Sequence, residues 1–164
     1  MVGYSFSSYK KETMARACGV SLPISTKQAV EICRRIRNLQ LGKAKTILRN
    51  VIEMKEAVPF KRYKHNIGHR TGMGPGRYPV KACREILKII SSCEANAQMK
   101  GLSIENLVIK HISANKATRP WHYGRQRRRR MKRTHIQIVV EESAVKSEQR
   151  KKERSKNRKP LSTG

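Results

Sequence analysis

Five histidines, at 65, 69, 111, 122 and 135, and four cysteines, at 18, 33, 83 and 93, are the side chains here with the widest chemical range. His65 and His69 stand four apart, a spacing that on a helix would bring two imidazoles together on one metal. Asn66 and Gly68 argue against a helix there, so phosphate contact or plain solvation is the expectation. The cysteines contain no CxxC pair, the close spacing that structural zinc favours. Cys83 and Cys93 fall on one predicted helix, where they would point about 80° apart and lie ~15 Å apart along the axis. They can share neither a metal nor a disulfide within it, and buried free thiols are expected. Glu141 and Glu142 stand near His135 in sequence, yet no nucleophile, base and orienting group form a set. Acidic metal sites would have to be built from glutamate alone, because the sequence has no aspartate. Its 11 acidic residues are scattered, with none between Glu56 and Glu85 or between Glu105 and Glu141. No metal, no cofactor and no enzymatic activity are expected.

Those two acid-free gaps hold the other chemistry. Over 57–78, Phe60, Tyr63 and Tyr78 interleave with Lys61, Arg62, Lys64, His69, Arg70 and Arg77, and Lys81 follows. Over 116–133 come Lys116, Arg119, Arg125, Arg127, Arg128, Arg129, Arg130, Lys132 and Arg133, with no acid among them. Cations of this density meet phosphates, and flat rings and guanidinium planes stack on exposed bases, a mixture that suits RNA. The whole chain agrees. Its 164 residues carry 38 Lys and Arg against 11 acids, a net charge of +27. A free globular protein so charged would repel itself, which argues against a homo-oligomer and for a polyanion as permanent partner. The longest apolar runs are far too short to span a bilayer, and the N-terminus lacks the apolar stretch of a secretory signal, so no membrane is expected.

The elements that must position these groups are legible in outline. With 37% hydrophobic residues the core is modest, and one domain with extensions is expected. A short strand falls within 15–22, ended by Pro23. A helix begins after Ser25, which has capping-box spacing to Gln28. Ala29, Ile32, Cys33 and Ile36 form its apolar stripe, and Glu31, Arg34, Arg35 and Arg37 face elsewhere. Gly42 punctuates, and a second helix covers about 43–55, with Ala44, Ile47, Leu48, Val51 and Ile52 on one face. Residues 57–78 are too long for an ordinary connector and read as a functional or flexible loop. Pro79 opens a third helix to about Lys100, with Cys83, Ile86, Leu87, Ile90, Cys93 and Ala97 inward and Gly101 as its C′ residue. Leu107–Ile112 and His135–Val140 read as paired strands; in the second, Ile136, Ile138 and Val140 alternate with His135, Gln137 and Val139. Each arm of a hairpin over 107–140 would reach ~55 Å if extended, so its tip must protrude from a small domain. The expected fold is α+β: three helices packed on a small antiparallel sheet, with a long protruding β-hairpin. The expected organisation is an N-terminal extension over 1–12, one globular RNA-binding domain over 13–142, and a basic, disordered tail over 143–164.

In this order, VPFKRY at 58–63, GPGRYPVKA at 74–82, EANAQMKGL at 94–102, LVIKHISANKA at 107–117, GR at 124–125 and HIQIVVEE at 135–142 resemble a universal family of the large ribosomal subunit. It is number twenty-two in the universal scheme and seventeen in eukaryotic numbering. The likeness covers about residues 13–142, and the long 57–78 segment resembles the archaeal and eukaryotic branch. The resemblance implies a structural protein of the cytoplasmic ribosome that binds large-subunit ribosomal RNA. It also implies a hairpin tip lining the nascent-peptide exit tunnel, beside neighbouring ribosomal proteins and the nascent polypeptide. By position the tip candidates are Trp121, His122, Tyr123, Gly124, Arg125 and Gln126. The arm is a few residues shorter than the family pattern, and its RQRRRRMK run is richer in arginine. A second reading is a DNA-binding or chromatin protein that uses the first two helices as a helix-turn-helix; it explains neither the hairpin nor the 57–78 segment.

Overall fold

The computed structural model describes residues 3–143, so the expected basic tail falls, beyond Ser143, outside the described residues. The last strand in the sequence is the central one in space. β1 (Met14–Leu22), β5 (Leu107–Lys116) and β6 (Thr134–Glu142) make an antiparallel sheet in the order β1-β6-β5. Two further sets of elements, α1 (Thr26–Ile36), α2 (Leu41–Ile52) and α3 (Val80–Met99), and β2 (Val58–Pro59), β3 (His69–Arg70) and β4 (Gly74–Arg77), complete the molecule. This is the expected α+β architecture.

The stripes explain the packing. Ala15 and Ala17 of β1, Ile109 and Ile112 of β5 and Ile136, Ile138 and Val140 of β6 join one core with the helices. α1 covers β5, α3 covers β1 and β6, and α2 packs on α3. In α3, Cys83, Ile86, Ile90, Cys93 and Ala97 are buried as expected, Ala82 and Ile89 join them, and Leu87 is only partly covered. The 20 residues of α3 span ~30 Å. Its end is a Schellman turn: the Gly101 N–H donates to the Gln98 carbonyl and the Leu102 N–H to that of Ala97, with Gly101 at φ +73°.

Several expectations need correction. β6 is buried on both faces, Gln137 and Val139 included. The second face is covered by the N-terminal segment: the Ser5 N–H donates to the Gln137 Oε1 at 2.9 Å, and Gln137 donates in turn to the Gly3 carbonyl at 2.6 Å. Alternation fails because a central strand covered on both sides has no solvent face. Both long strands also outrun their apolar cores, reaching Lys116 and Thr134 through ladder hydrogen bonds that polar residues supply equally well. α2 starts before Gly42, which lies in its first turn and does not separate helices. The Ser25 side chain makes no capping bond, so the capping box is not formed. Cys33, Cys83 and Cys93 are buried free thiols, with burial pushing each up to about 12, while Cys18 is only half-buried. Glu31 is buried rather than turned outward. The 57–78 segment is not one open loop: it carries a second, small sheet in the order β2-β4-β3, its strands joined by turns and irregular chain. Its two- and four-residue strands leave no periodicity to read.

The link between α1 and α2 is pinned to the sheet edge. The Asn38 N–H donates to the Ile109 carbonyl, and the Ile109 N–H to that of Leu39, beside a bulge in β5. With α2 packed on α3 and the turn held by β5, the pair is part of the scaffold.

Candidate nucleic-acid interface

The small sheet is moored at two points. Phe60 is buried in the core, and its N–H donates to the Pro75 carbonyl at 2.9 Å. Next to it, the Glu31 carboxylate accepts three consecutive backbone N–H groups, from Lys61 at 3.2 Å, Arg62 at 2.8 Å and Tyr63 at 2.9 Å. One acid from the inner side of α1 thereby fixes the main chain from which three expected contact residues project. Lys61, Arg62 and Lys64 are exposed, and Tyr63 is half-buried against the core. The Arg62 guanidinium lies 5.5 Å from the Tyr63 ring, and that of Arg70 lies 5.3 Å from the Tyr78 ring. Arg77 donates to the Asn66 carbonyl at 3.1 Å. These rings and backbone contacts orient guanidinium planes that remain in solvent. His65 and His69 are exposed, and among the described residues no group of His, Cys or Glu could hold a metal. Lys81 is exposed in the first turn of α3.

The arm continues beyond the three-stranded sheet on two strands alone. The Ala117 N–H donates to the Arg133 carbonyl, the Met131 N–H to Pro120 and the His122 N–H to Arg129, and Trp121 bridges Arg130. A 3-10 turn at Gly124–Gln126 closes it, with Gly124 at φ +61°. Arg119 and Arg133 serve the stem: Arg119 donates to the Met131 carbonyl at 3.1 Å, and Arg133 to that of Ser21 at 3.1 Å. Lys116, Arg125, Arg127, Arg128, Arg129, Arg130 and Lys132 are exposed. At the tip Tyr123 is 86% exposed and His122 half-buried. Trp121 is 55% exposed, with the Arg130 guanidinium 4.2 Å from its ring centre. One tip aromatic is therefore engaged by the stem and the other is free.

The two basic stretches, far apart in sequence, meet at the start of α1. A cleft of 290 Å³ between α1 and the small sheet is lined by Phe60, Tyr63, His65 and Arg77. A cleft of 530 Å³ between α1 and the arm base is lined by Lys116, Arg119 and Arg133. Ser25, Lys27, Tyr63 and Lys132 border both, so the two form one trough, and no carboxylate lines either part. A concave surface of one sign focuses the field and gathers anions. Five acids lie elsewhere, in the ion pairs Arg35–Glu56, Lys45–Glu94, Lys55–Glu53, Lys88–Glu85 and Lys110–Glu141. Among the described residues, none of the cations expected to contact RNA is in an ion pair.

Lys27 is the contact candidate that the sequence reading missed. No local signal marks it, because α1, α2 and α3 alike have no acid in the first turn and a lysine there, Lys27, Lys43 and Lys81. The helix dipole favours negative charge at that end.

A family model described as ribosomal protein L22p/L17e matches residues 17–141. The chain is 42% identical over 148 residues to the large ribosomal subunit protein uL22 of Archaeoglobus fulgidus, covering 85% of this chain and 96% of the relative. It is 45% identical over 148 residues to the protein of the same name from Methanosphaera stadtmanae, with the same coverage. The one from Methanocaldococcus jannaschii is 45% identical over 139 residues, covering 80% of this chain and 89% of the relative. The matched span takes in the sheet, all three helices, the small basic sheet and the whole arm, and on that basis the chain belongs to the ribosomal protein L22p/L17e family.

Proposed function

We propose that this protein braces large-subunit ribosomal RNA by neutralising its phosphates along two faces, the small basic sheet and the arm. Family membership carries the coarser statement: it is a structural constituent of the large ribosomal subunit in the cytoplasm, and not an enzyme. The finer reading assigns RNA contact to Lys61, Arg62, Lys64, His69, Arg70, Arg77 and Lys81 on one side and to the arm cations on the other. It sends the tip, Trp121 to Gln126, to the wall of the nascent-peptide exit tunnel, among neighbouring ribosomal proteins and the nascent polypeptide. In this reading the chain does not form a homo-oligomer, since copies so charged repel one another.

The observation that supports it is the segregation of charge. Five acids are paired with surface cations away from the trough, no carboxylate lines the trough, and among the described residues none of the trough and arm cations is in an ion pair. Lys and Arg so placed release condensed counterions from RNA, and binding weakens as salt rises. Specificity then comes from RNA shape, because few neutral base-reading side chains stand among these cations. Sedimentation of a lysate on a sucrose gradient tests this. Comigration with the large subunit that survives a high-salt wash and is lost on RNase treatment is expected. A free pool, or release by DNase instead, would overturn the RNA-bracing role.

A further inference from the structure

The trough is narrower in purpose than the basic faces around it. We propose that it is a site for unpaired RNA: a single strand passing between the small sheet and the arm base, its phosphates on Lys27 and Lys132 and a base against Tyr63. This rests on the RNA-binding reading above and goes further by naming the form of RNA and the residues that select it.

Shape carries the first step. A duplex keeps its bases inside and presents phosphates on a convex cylinder, which a flat or convex basic surface can meet. Here the two clefts, 290 and 530 Å³, are concave and walled on three sides by α1, the small sheet and the arm base. Each has the scale of a small-molecule pocket, which admits an unstacked nucleotide and excludes a helix of RNA. Chemistry carries the second. Single strands are held where a cationic groove tracks the backbone and an aromatic side chain offers a stacking face. Tyr63 lines both halves, with its backbone held by Glu31 and its ring half-buried, so it is a fixed wall rather than a mobile side chain. Lys27 and Lys132 border both halves too, from separate elements, and each is exposed. The third step is the place of Lys27: its ammonium lies 5.7 Å from the Tyr63 ring centre, and Lys132 borders the same two clefts, so a phosphate held by both sits beside that ring.

Binding of a single-stranded oligoribonucleotide and of a blunt duplex of the same length, each titrated over a salt series with the full-length protein, tests the proposal. Replacing both Lys27→Ala and Lys132→Ala removes two phosphate contacts from the strand, so the slope of log affinity against log salt should fall by about 1.4 for the single strand. The duplex slope should stay unchanged. Ultraviolet irradiation of the unaltered protein with the single strand should place the crosslink on Tyr63. Equal losses for both RNAs, or an unchanged single-strand slope with crosslinks only on the arm, would overturn the trough as a single-strand site while leaving RNA binding intact. Salt-independent or absent binding of both RNAs by the unaltered protein would instead bring down the RNA-binding reading itself. Both lysines are exposed, so a thermal melt matching that of the unaltered protein is expected and separates binding from folding.

Discussion

Glu31 is the one buried charge among the described residues, and it fixes the backbone from which Lys61, Arg62 and Tyr63 project. Its carboxylate holds three successive N–H donors, and hydrogen bonds to an ionised group are about twice as strong as neutral ones. Truncation by Glu31→Ala would strand those donors and should cost about 3 kcal/mol, read from urea unfolding. Glu31→Gln keeps one acceptor oxygen and should cost about 1 kcal/mol. Both should weaken RNA binding, because the backbone of Lys61, Arg62 and Tyr63 loses its mooring. A second residue-scale effect concerns His111. Its ring stacks on Phe6 with centroids 5.3 Å apart, and its Nε2 lies 3.3 Å from the Ser5 hydroxyl. Burial, and then the nearby Arg37 guanidinium, hold its pKa below the ordinary imidazole value. The unfolded chain therefore binds the proton first. Stability from this group is complete above the unfolded pKa and is lost as pH falls through it toward the lower folded value. The urea midpoint should fall on going from about pH 7.5 to about pH 5.5, and His111→Gln should flatten that limb.

At the scale of elements, the arm and the small sheet solve one problem differently. Each must hold cations away from the core while keeping its own backbone bonded. The arm uses a two-stranded ladder that continues to Trp121–Arg130 and closes on a 3-10 turn. Its side chains beyond Ala117 and before Thr134 contribute nothing to the buried core. Removing 118–132 with a short turn in its place should leave the rest folded, with a loss under about 1 kcal/mol, or ~4 °C in melting temperature. Global unfolding of that variant would mean the arm is structural. The small sheet cannot be removed so cheaply, since Phe60 and Val58 sit in the core. Its strands were illegible in the sequence because Gly and Pro at 72–76 mark turns, and two-residue strands have no alternation to detect.

For the whole molecule, what matters is where the charge of +27 lies, not its sum. Replacing Arg62, Arg70 and Arg77 with alanine should reduce the salt slope of single-stranded RNA binding by about 2. Replacing Lys55, Lys88 and Lys110 removes the same number of charges, but these lysines already pair with Glu53, Glu85 and Glu141. That variant should keep nearly the full slope. Equal slopes for the two variants would mean that net charge alone governs the association.

Periodicity and composition determined a good deal unaided. The apolar stripes of α1 and α3, that of α2 apart from the half-buried Ile47, the pairing of 107–112 with 135–140, the Gly101 helix stop and the polyanion partner class are all local or summed properties, readable from spacing and charge. Six ordered motifs sufficed for the family. What only the tertiary structure decided involves residues far apart in sequence. Glu31 reads as a solvent-facing helix residue until the 61–63 backbone is brought beside it. Gln137 reads as the wet side of a strand until Gly3 and Ser5 cover it. Lys27 is an ordinary surface lysine until α1, the small sheet and the arm base converge on it. Helix and strand patterns arise from neighbours a few residues away. A polar side chain's role depends on the long-range partner that meets it, and no spacing within one segment encodes that meeting.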